Sequence, residues 1–262
     1  MSQYTSILAN TDFTGEVKIA VNTFTEYDVD SCIAEVQESI LKDLLGDDLY
    51  MKFGATLPTP TSGTKYDDLL NGVVYVDPRK SVIETYNNSE ESVDDDVDLN
   101  VDYTGLERML KLFTYYNYAH DQVFHNTMLG NVKGSSQNGA VLDNGEMLAR
   151  LELKYNTAID LYRLARKFIL DHKDIETTST SVSNNGDGTH TFYVPSTTYM
   201  ANGDTVNISG TDYTISSLVA NTSFKINESA SINFNAATLV SYDAFPTFKG
   251  KKKDKMFLNN SL

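Results

Sequence analysis

The sequence predicts an α+β protein: an antiparallel helical bundle with an appended small antiparallel β domain, a barrel or a sandwich. Three observations predict it. Apolar residues recur at three-and-four spacing from residue 24 to about residue 173, as they do in helices with one buried face. From residue 177 to about residue 242 the texture changes to short Thr/Val/aromatic runs divided by Gly, Asn and Asp, the pattern of strands and tight turns. The final stretch, which includes "KGKKKDKMF", is basic in a chain whose formal charge is −15. The expected divisions are a helical domain over residues 1–176, a β domain over 177–245 and a basic tail over 246–262.

The elements follow in order. "DVDSCIAEVQESILKDLLG" sets Val29, Ile33, Val36, Ile40, Leu41, Leu44 and Leu45 along one stripe, with Thr25 or Asp28 placed to cap its start and Gly46 its end. "DDLYMKFG" begins a short second helix, with Asp47 and Asp48 near its positive end. "LPTPTSGT" breaks the chain, and "KYDDLLNG" reads as a third helix closed by Gly72. Residues 83–103 hold eight acidic residues and no basic one. They lack the bend glycine and donor alternation of a calcium loop, so a solvated loop is expected.

Two longer helices come next. "GLERMLKLFTYYNYAHDQVFHNTM" sets Leu106, Met109, Leu110, Phe113, Asn117, His120, Phe124 and Thr127 on one side. "NGEMLARLELKYNTAIDLYRLARKFILDHK" carries a near-heptad stripe of Leu148, Leu151, Tyr155, Ala158, Tyr162, Ala165 and Ile169, with Leu161, Leu164 and Phe168 as a second edge. Helices joined in this way pack antiparallel. Their connection, residues 130–145, is longer than packing requires and rich in turn formers, as partner-contacting loops are. In the β region, "TSTSVSNNGDGTHTFYVPS" forms a hairpin around residues 184–188, and "GDTVNISGTDYTISSLV" a second around 209–212. "SFKINE" and "SINFN" add strands with Ile226, Ile232 and Phe234 facing inward.

Composition narrows the function. So acidic a chain is repelled by nucleic-acid phosphates. One cysteine, Cys32, excludes an internal disulfide and a Cys-rich zinc site; its helical setting makes it a small buried hydrophobe. No apolar run approaches membrane-spanning length and the N-terminus lacks a secretion signal, so a soluble protein made in a cytoplasm is expected, with no membrane partner. No phosphate loop, dinucleotide fingerprint or nucleophile elbow is present.

His120 and His125 are five residues apart, about 140° round a helix, and do not share a face for a metal. His120 is expected inside or at an interface with a hydrogen-bond partner, and His125 at the surface where the helix runs out into a loop. Glu146, Glu152 and Asp160 are spread around their helix. No catalytic residue, cofactor or metal ligand is expected, although a fold can bring two distant carboxylates together for hydrolysis. The tail sets Lys249, Lys251, Lys252, Lys253 and Lys255 between Phe245, Phe248 and Phe257. It fits a nuclear-targeting or nucleic-acid patch, or a segment that docks on carboxylates of its own chain or a neighbour.

The succession "SILKDLLGDDLYMKF", "YDDLLNGVVY", "GLERMLKLFTYYNYAHDQVFHNTMLGNVKGSS" and "ARLELKYNTAIDLYRLARKFIL" resembles the head–tail connector (adaptor) proteins of tailed bacteriophages. More narrowly, it is similar to the helical ring proteins of crAss-like and other Bacteroidetes phages. The resemblance covers approximately residues 29–170 and includes no catalytic signature. The β region lies outside it, although "VNISGTDYTISSLVANTSFKI" is similar in texture to small barrels on phage tail parts.

The resemblance implies a virion structural protein at the head–tail interface. Copies of the chain would form a ring of about twelve beneath the portal protein, with later ring or tail proteins below. Genomic DNA would pass through the lumen without specific binding, along a wall of carboxylates from residues 84–102 or from the helices. Sixteen tyrosines suit subunit interfaces. Gly130, Asn131, Val132 and Lys133 of the long connection, and Phe248, Lys251, Lys252, Lys253 and Phe257 of the tail, are the expected contacts with the portal or neighbouring copies. Two other classes remain: a receptor- or glycan-binding accessory virion protein using the β region, and a carboxylate-dependent hydrolase.

Overall fold

The computed structural model describes residues 6–19, 26–77, 100–123, 125–127, 130–132, 144–227, 234–235 and 237–256. The architecture is mixed α+β, with five α-helices among the described residues and a curled antiparallel sheet.

Helix α1 (Glu26–Leu45) buries all seven residues of its predicted stripe. Each buried Leu, Ile or Val of that kind stabilises by roughly 1.5–3 kcal/mol. Gly46 ends the helix, its N–H donating to the Lys42 carbonyl. Asp28 lies inside the first turn rather than at the cap, and Thr25 lies outside the described residues. Helix α2 (Asp47–Gly54) follows at once, and α3 (Lys65–Asn71) starts where the Thr64 hydroxyl accepts from the Asp67 N–H.

Strands β1 (Val73–Val76) and β2 (Asn100–Tyr103) then pair antiparallel. The solvated loop expected over residues 83–103 is corrected at this end: residues 100–103 are a strand with Tyr103 buried, and residues 78–99 lie outside the described residues. Gly72 and Gly105 make the pairing sterically feasible. A Cβ on Gly72 would sit 2.3 Å from the Tyr103 carbonyl oxygen, and one on Gly105 2.4 Å from that of Leu70.

Helix α4 (Glu107–Val123) and α5 (Asn144–Asp171) pack antiparallel. Tyr103, just before α4, stacks on Phe168 near the end of α5 at 4.6 Å, whereas Tyr116 meets Tyr155 a few turns earlier at 4.9 Å. Of the predicted α5 stripe, Leu151, Ala158, Tyr162, Ala165 and Ile169 are buried and Leu148 and Tyr155 half-buried; of its second edge, Phe168 is buried and Leu161 and Leu164 half-buried. The first helix ends sooner than predicted. Residues His125–Thr127 form β3, paired with β4 (Gly130–Val132), so the helix leads into a hairpin and not a loop, and Thr127 is not on the helical face. Residues 133–143 lie outside the described residues.

The remaining strands are β5 (Ile175–Thr178), β6 (Ser181–Asn184), β7 (Thr189–Tyr193), β8 (Thr205–Ile208), β9 (Thr211–Val219), β10 (Ser223–Asn227) and β11 (Leu239–Tyr242). They form one sheet in the order β5-β11-β8-β9-β10-β7-β6. Both predicted hairpins are present, as β6–β7 and β8–β9. The long β9 serves two partners: residues 211–214 pair with β8 and residues 215–219 with β10. The sheet thereby bends into a half-barrel around Phe192, Val206, Ile208, Ile215, Phe224, Ile226 and Val240.

The "TSTSVS" run reads as one strand in sequence and is two strands at opposite edges of the sheet. Ser179 donates to the Thr238 carbonyl and the next residue, Thr180, donates to the Tyr193 carbonyl, so consecutive residues join the two edge ladders. Phe234 packs on this core outside any strand, and Ile232 lies outside the described residues.

The two cores meet at an aromatic junction. Phe168 contacts Tyr75, Tyr103, His172, Tyr199 and Phe245. Ala244 and Phe245, at the end of the expected β domain, are buried in the helical core. A buried ion pair, Lys65 of α3 to Asp204 before β8, bridges the same junction.

Candidate functional site

From Phe245 onward the chain turns back over the helices as an extended strap, residues 246–256. Lys249 N–H donates to the Leu45 carbonyl and Lys251 N–H to the Asp43 carbonyl, at the end of α1. Lys251 and Lys253 each place Nζ 2.8 Å from Asp43, one on each carboxylate oxygen. On the other side the Tyr162 hydroxyl of α5 donates to the Lys251 carbonyl, and the Asn156 amide both donates to and accepts from the Met256 backbone. Lys255 pairs with Asp160 at 2.7 Å. Of the two settings expected for the lysine tail, these are contacts with carboxylates of its own chain.

Burial pushes the Asp43 carboxyl upward, but the hydrogen bonds of Lys251 and Lys253 outweigh it and hold it below the ordinary carboxylate range. The grip on Asp43 is therefore complete above the ordinary carboxylate pKa and fails as pH falls through the lowered value.

Two clefts flank the strap. One lies against α1 and α2 and is lined by Lys42, Asp43, Asp47, Asp48, Lys249 and Lys251. The other lies against α5, encloses about 400 Å³ and is different in kind: Arg163, Arg166, Lys167, Lys252 and Lys253 face two carboxylates, Asp171 and Asp254. Helical spacing explains it, since residues 163, 166 and 167 fall on one side of α5, and the strap lays two lysines opposite. Lys167 is held by Asp77 and Asp171, Lys253 by Asp43, and Arg163 contacts Asp254 at 3.4 Å. Arg166 lies over the Phe248 ring at 5.7 Å, and its Nε is buried with no hydrogen-bond partner among the described residues.

The predicted interface residues divide accordingly. Phe248 packs on the helical core, Lys251 and Lys253 are bound to Asp43, and Lys252 is exposed. Gly130, Asn131 and Val132 form β4, while Lys133 and Phe257 lie outside the described residues. Arg163, Arg166 and Lys167 were not singled out in the sequence. Three cations within the five residues "RLARK" were the available signal, masked by the apolar stripe that runs through them.

His172 and Cys32 are engaged in packing, and His120 lies partly open to solvent. His120 is half-exposed rather than interior, 3.7 Å from Asp121 and tilted against Tyr116. His172 is buried among Tyr75, Phe168 and Tyr199, where burial lowers its pKa and Nδ1 donates to the Phe168 carbonyl. The Cys32 thiol is pushed up to about 11, chiefly by burial, and approaches the Thr114 carbonyl at 3.7 Å; it is a packed side chain and a poor nucleophile at neutral pH. Among the described residues no group of three or more His, Cys, Asp or Glu is arranged to hold a metal ion, and no helix is long and apolar enough to cross a membrane. No family model, curated protein or solved structure matches the chain.

Proposed function

We propose that this chain is a virion structural protein, a subunit of the head–tail connector ring beneath the portal of a tailed bacteriophage. In this reading the helices are a connector-like antiparallel bundle that forms the ring, and the β part is a small barrel-like domain appended to it. The strap locks the two together, because the chain leaves the helices at residue 175 and returns to them at residue 244.

One observation supports the reading above the others: α5 buries its stripe and still presents apolar residues outward. Leu153 is 64 % exposed and Leu170 41 %, and the neighbouring strand β1 presents Val74 at 62 % and Val76 at 52 %. A helix apolar on more than one side is suited to a second packing partner, and in a ring that partner is the adjacent copy. The chain's charge of −15 suits a channel wall that DNA must pass without adhering. The side chains of the strap cleft bind and orient charge; they are not arranged as a nucleophile with a base.

Negative-stain electron microscopy of the full chain, alone and mixed with the portal protein of the same phage, tests the proposal. Closed rings that seat coaxially on the portal are expected. A monomer that ignores the portal and instead binds sugars or cells, or turns over a substrate, would replace it with one of the two other classes.

A further inference from the structure

The cleft between α5 and the strap has more positive charge than the chain uses. Lys167, Lys253 and Arg163 are answered by Asp77, Asp171, Asp43 and Asp254. Arg166 and Lys252 have no ion-pair partner among the described residues, and the buried Arg166 Nε lacks an acceptor. A guanidinium steadied over an aromatic ring, beside an exposed ammonium, is a fork for carboxylates. In a chain of charge −15 such a surplus is concentrated, not incidental.

We propose that this cleft receives an Asp/Glu-rich peptide segment, and that in the assembled protein the segment belongs to a second copy of this chain. The complementary stretch is in the sequence: from Glu84 to Asp98 there are seven carboxylates and no basic residue. A nucleic acid suits the cleft less well. Its phosphates recur about every 1.7 Å along a duplex, and Asp43, Asp77 and Asp160 flank the cationic patch. A short peptide fits between these carboxylates. The inference rests on the ring reading and deepens it, since it names a contact between copies. The run is then assigned to that contact, and helix carboxylates remain for the channel wall.

The test uses the full chain with Glu90 and Glu91 changed to Gln and Asp94, Asp95 and Asp96 changed to Asn, so that its own run does not compete. A fluorescently labelled peptide of residues 83–102 is titrated in and followed by anisotropy. Saturable binding is expected, weakened by about tenfold or more when salt is raised to about 0.3 M. The R166Q/K252Q double variant should bind at least about tenfold more weakly. Lys252→Glu should do the same alone, and because Lys252 is exposed it leaves the fold intact, which far-UV circular dichroism confirms.

Three results overturn the proposal: no binding, binding by the two cleft variants as tight as with the cleft unchanged, or tighter binding of a single-stranded oligonucleotide of the same charge. Tighter peptide binding by this chain than by the parent, at a concentration where sedimentation shows both to be monomers, would show that the parent's own run occupies the cleft, which overturns the assignment to a second copy. The ring reading fails separately. Rings formed with the portal by Lys252→Glu would remove this contact and leave the ring standing, whereas a parent chain that forms no ring removes the ring and leaves the peptide affinity to stand or fall by itself.

Discussion

Replacing Asp204 with Ala takes away the carboxylate that answers the Lys65 ammonium. Lys65 is 1 % exposed, and its Nζ lies 2.5 Å from Asp204 Oδ2. At that separation the attraction in an effective dielectric of about 20 is about 7 kcal/mol. Withdrawing each ion from water costs several kcal/mol, so the intact pair contributes little net stability. Removing one partner does not cancel in this way. The orphaned ammonium costs about 3–5 kcal/mol, and the Ala201 N–H loses its acceptor on the same carboxylate, worth about 1 kcal/mol more.

Equilibrium urea unfolding should therefore show Asp204→Ala about 4–6 kcal/mol less stable than the parent. The K65M/D204L double variant should lie within about 1 kcal/mol of it. The pH dependence supplies a second check. Burial holds the Lys65 pKa below the ordinary lysine value, with Asp204 opposing it. The unfolded chain then binds more protons between the depressed value and about 10.5, and stability rises with pH through that window. Without Asp204 the opposing attraction is gone and the window widens, so Asp204→Ala should recover stability as pH rises from about 7 to about 10. A variant within about 1 kcal/mol of the parent at neutral pH, with the parent's pH profile, would refute the buried-pair argument.

Gly250→Ala should detach the strap. Its Cβ would lie 2.0 Å from the Leu44 carbonyl oxygen and 2.5 Å from the Phe248 ring, and relieving that overlap costs about 1–3 kcal/mol. Hydrogen exchange at the Lys249 and Lys251 amides should accelerate, and unchanged protection would count against the strap's close approach to α1. At high pH the buried tyrosines decide stability. Burial pushes Tyr66 and Tyr242 up to about 12, and raises Tyr75, Tyr103, Tyr162 and Tyr199 as well. Because these folded values exceed the unfolded value of about 10, the unfolded chain releases its protons first; stability is complete below about pH 10 and is lost as pH climbs through about 12. The share of tyrosinate absorbance that these six rings contribute should therefore appear together with loss of helical circular dichroism, whereas ionisation of all sixteen tyrosines in an intact fold would contradict their burial.

How far the sequence could be read depended on the range of each contact. The α1 and α5 stripes were legible because a helix repeats its buried face every three or four residues, and the hairpins because turns need particular residues at particular places. His120 shows the limit. It kept the phase of the apolar face, yet the helix ends at Val123 and the face near it is half open to solvent. Residues 100–103 read as loop because Asn100 and Asp102 make the stretch polar; their pairing with Val76 and Val74 is a contact across a long gap in sequence. Of the candidate site, the strap's lysines were visible as a charge run, but their partner Asp43 was one acidic residue among 36 Asp and Glu.

By itself, the sequence determined which segments become helix, where the two main hairpins turn, and that the chain carries a large negative charge with a basic end. Those properties are local or additive, set by periodicity, turn chemistry and counting. The tertiary structure decided that Ser179 and Thr180 join opposite edges of one sheet, that Lys65 meets Asp204, and that the strap folds over α1 and α5 to leave Arg166 and Lys252 facing an open cleft. Such contacts join residues far apart along the chain, and their partners are chosen by which surfaces packing brings together, a quantity no window of neighbouring residues contains.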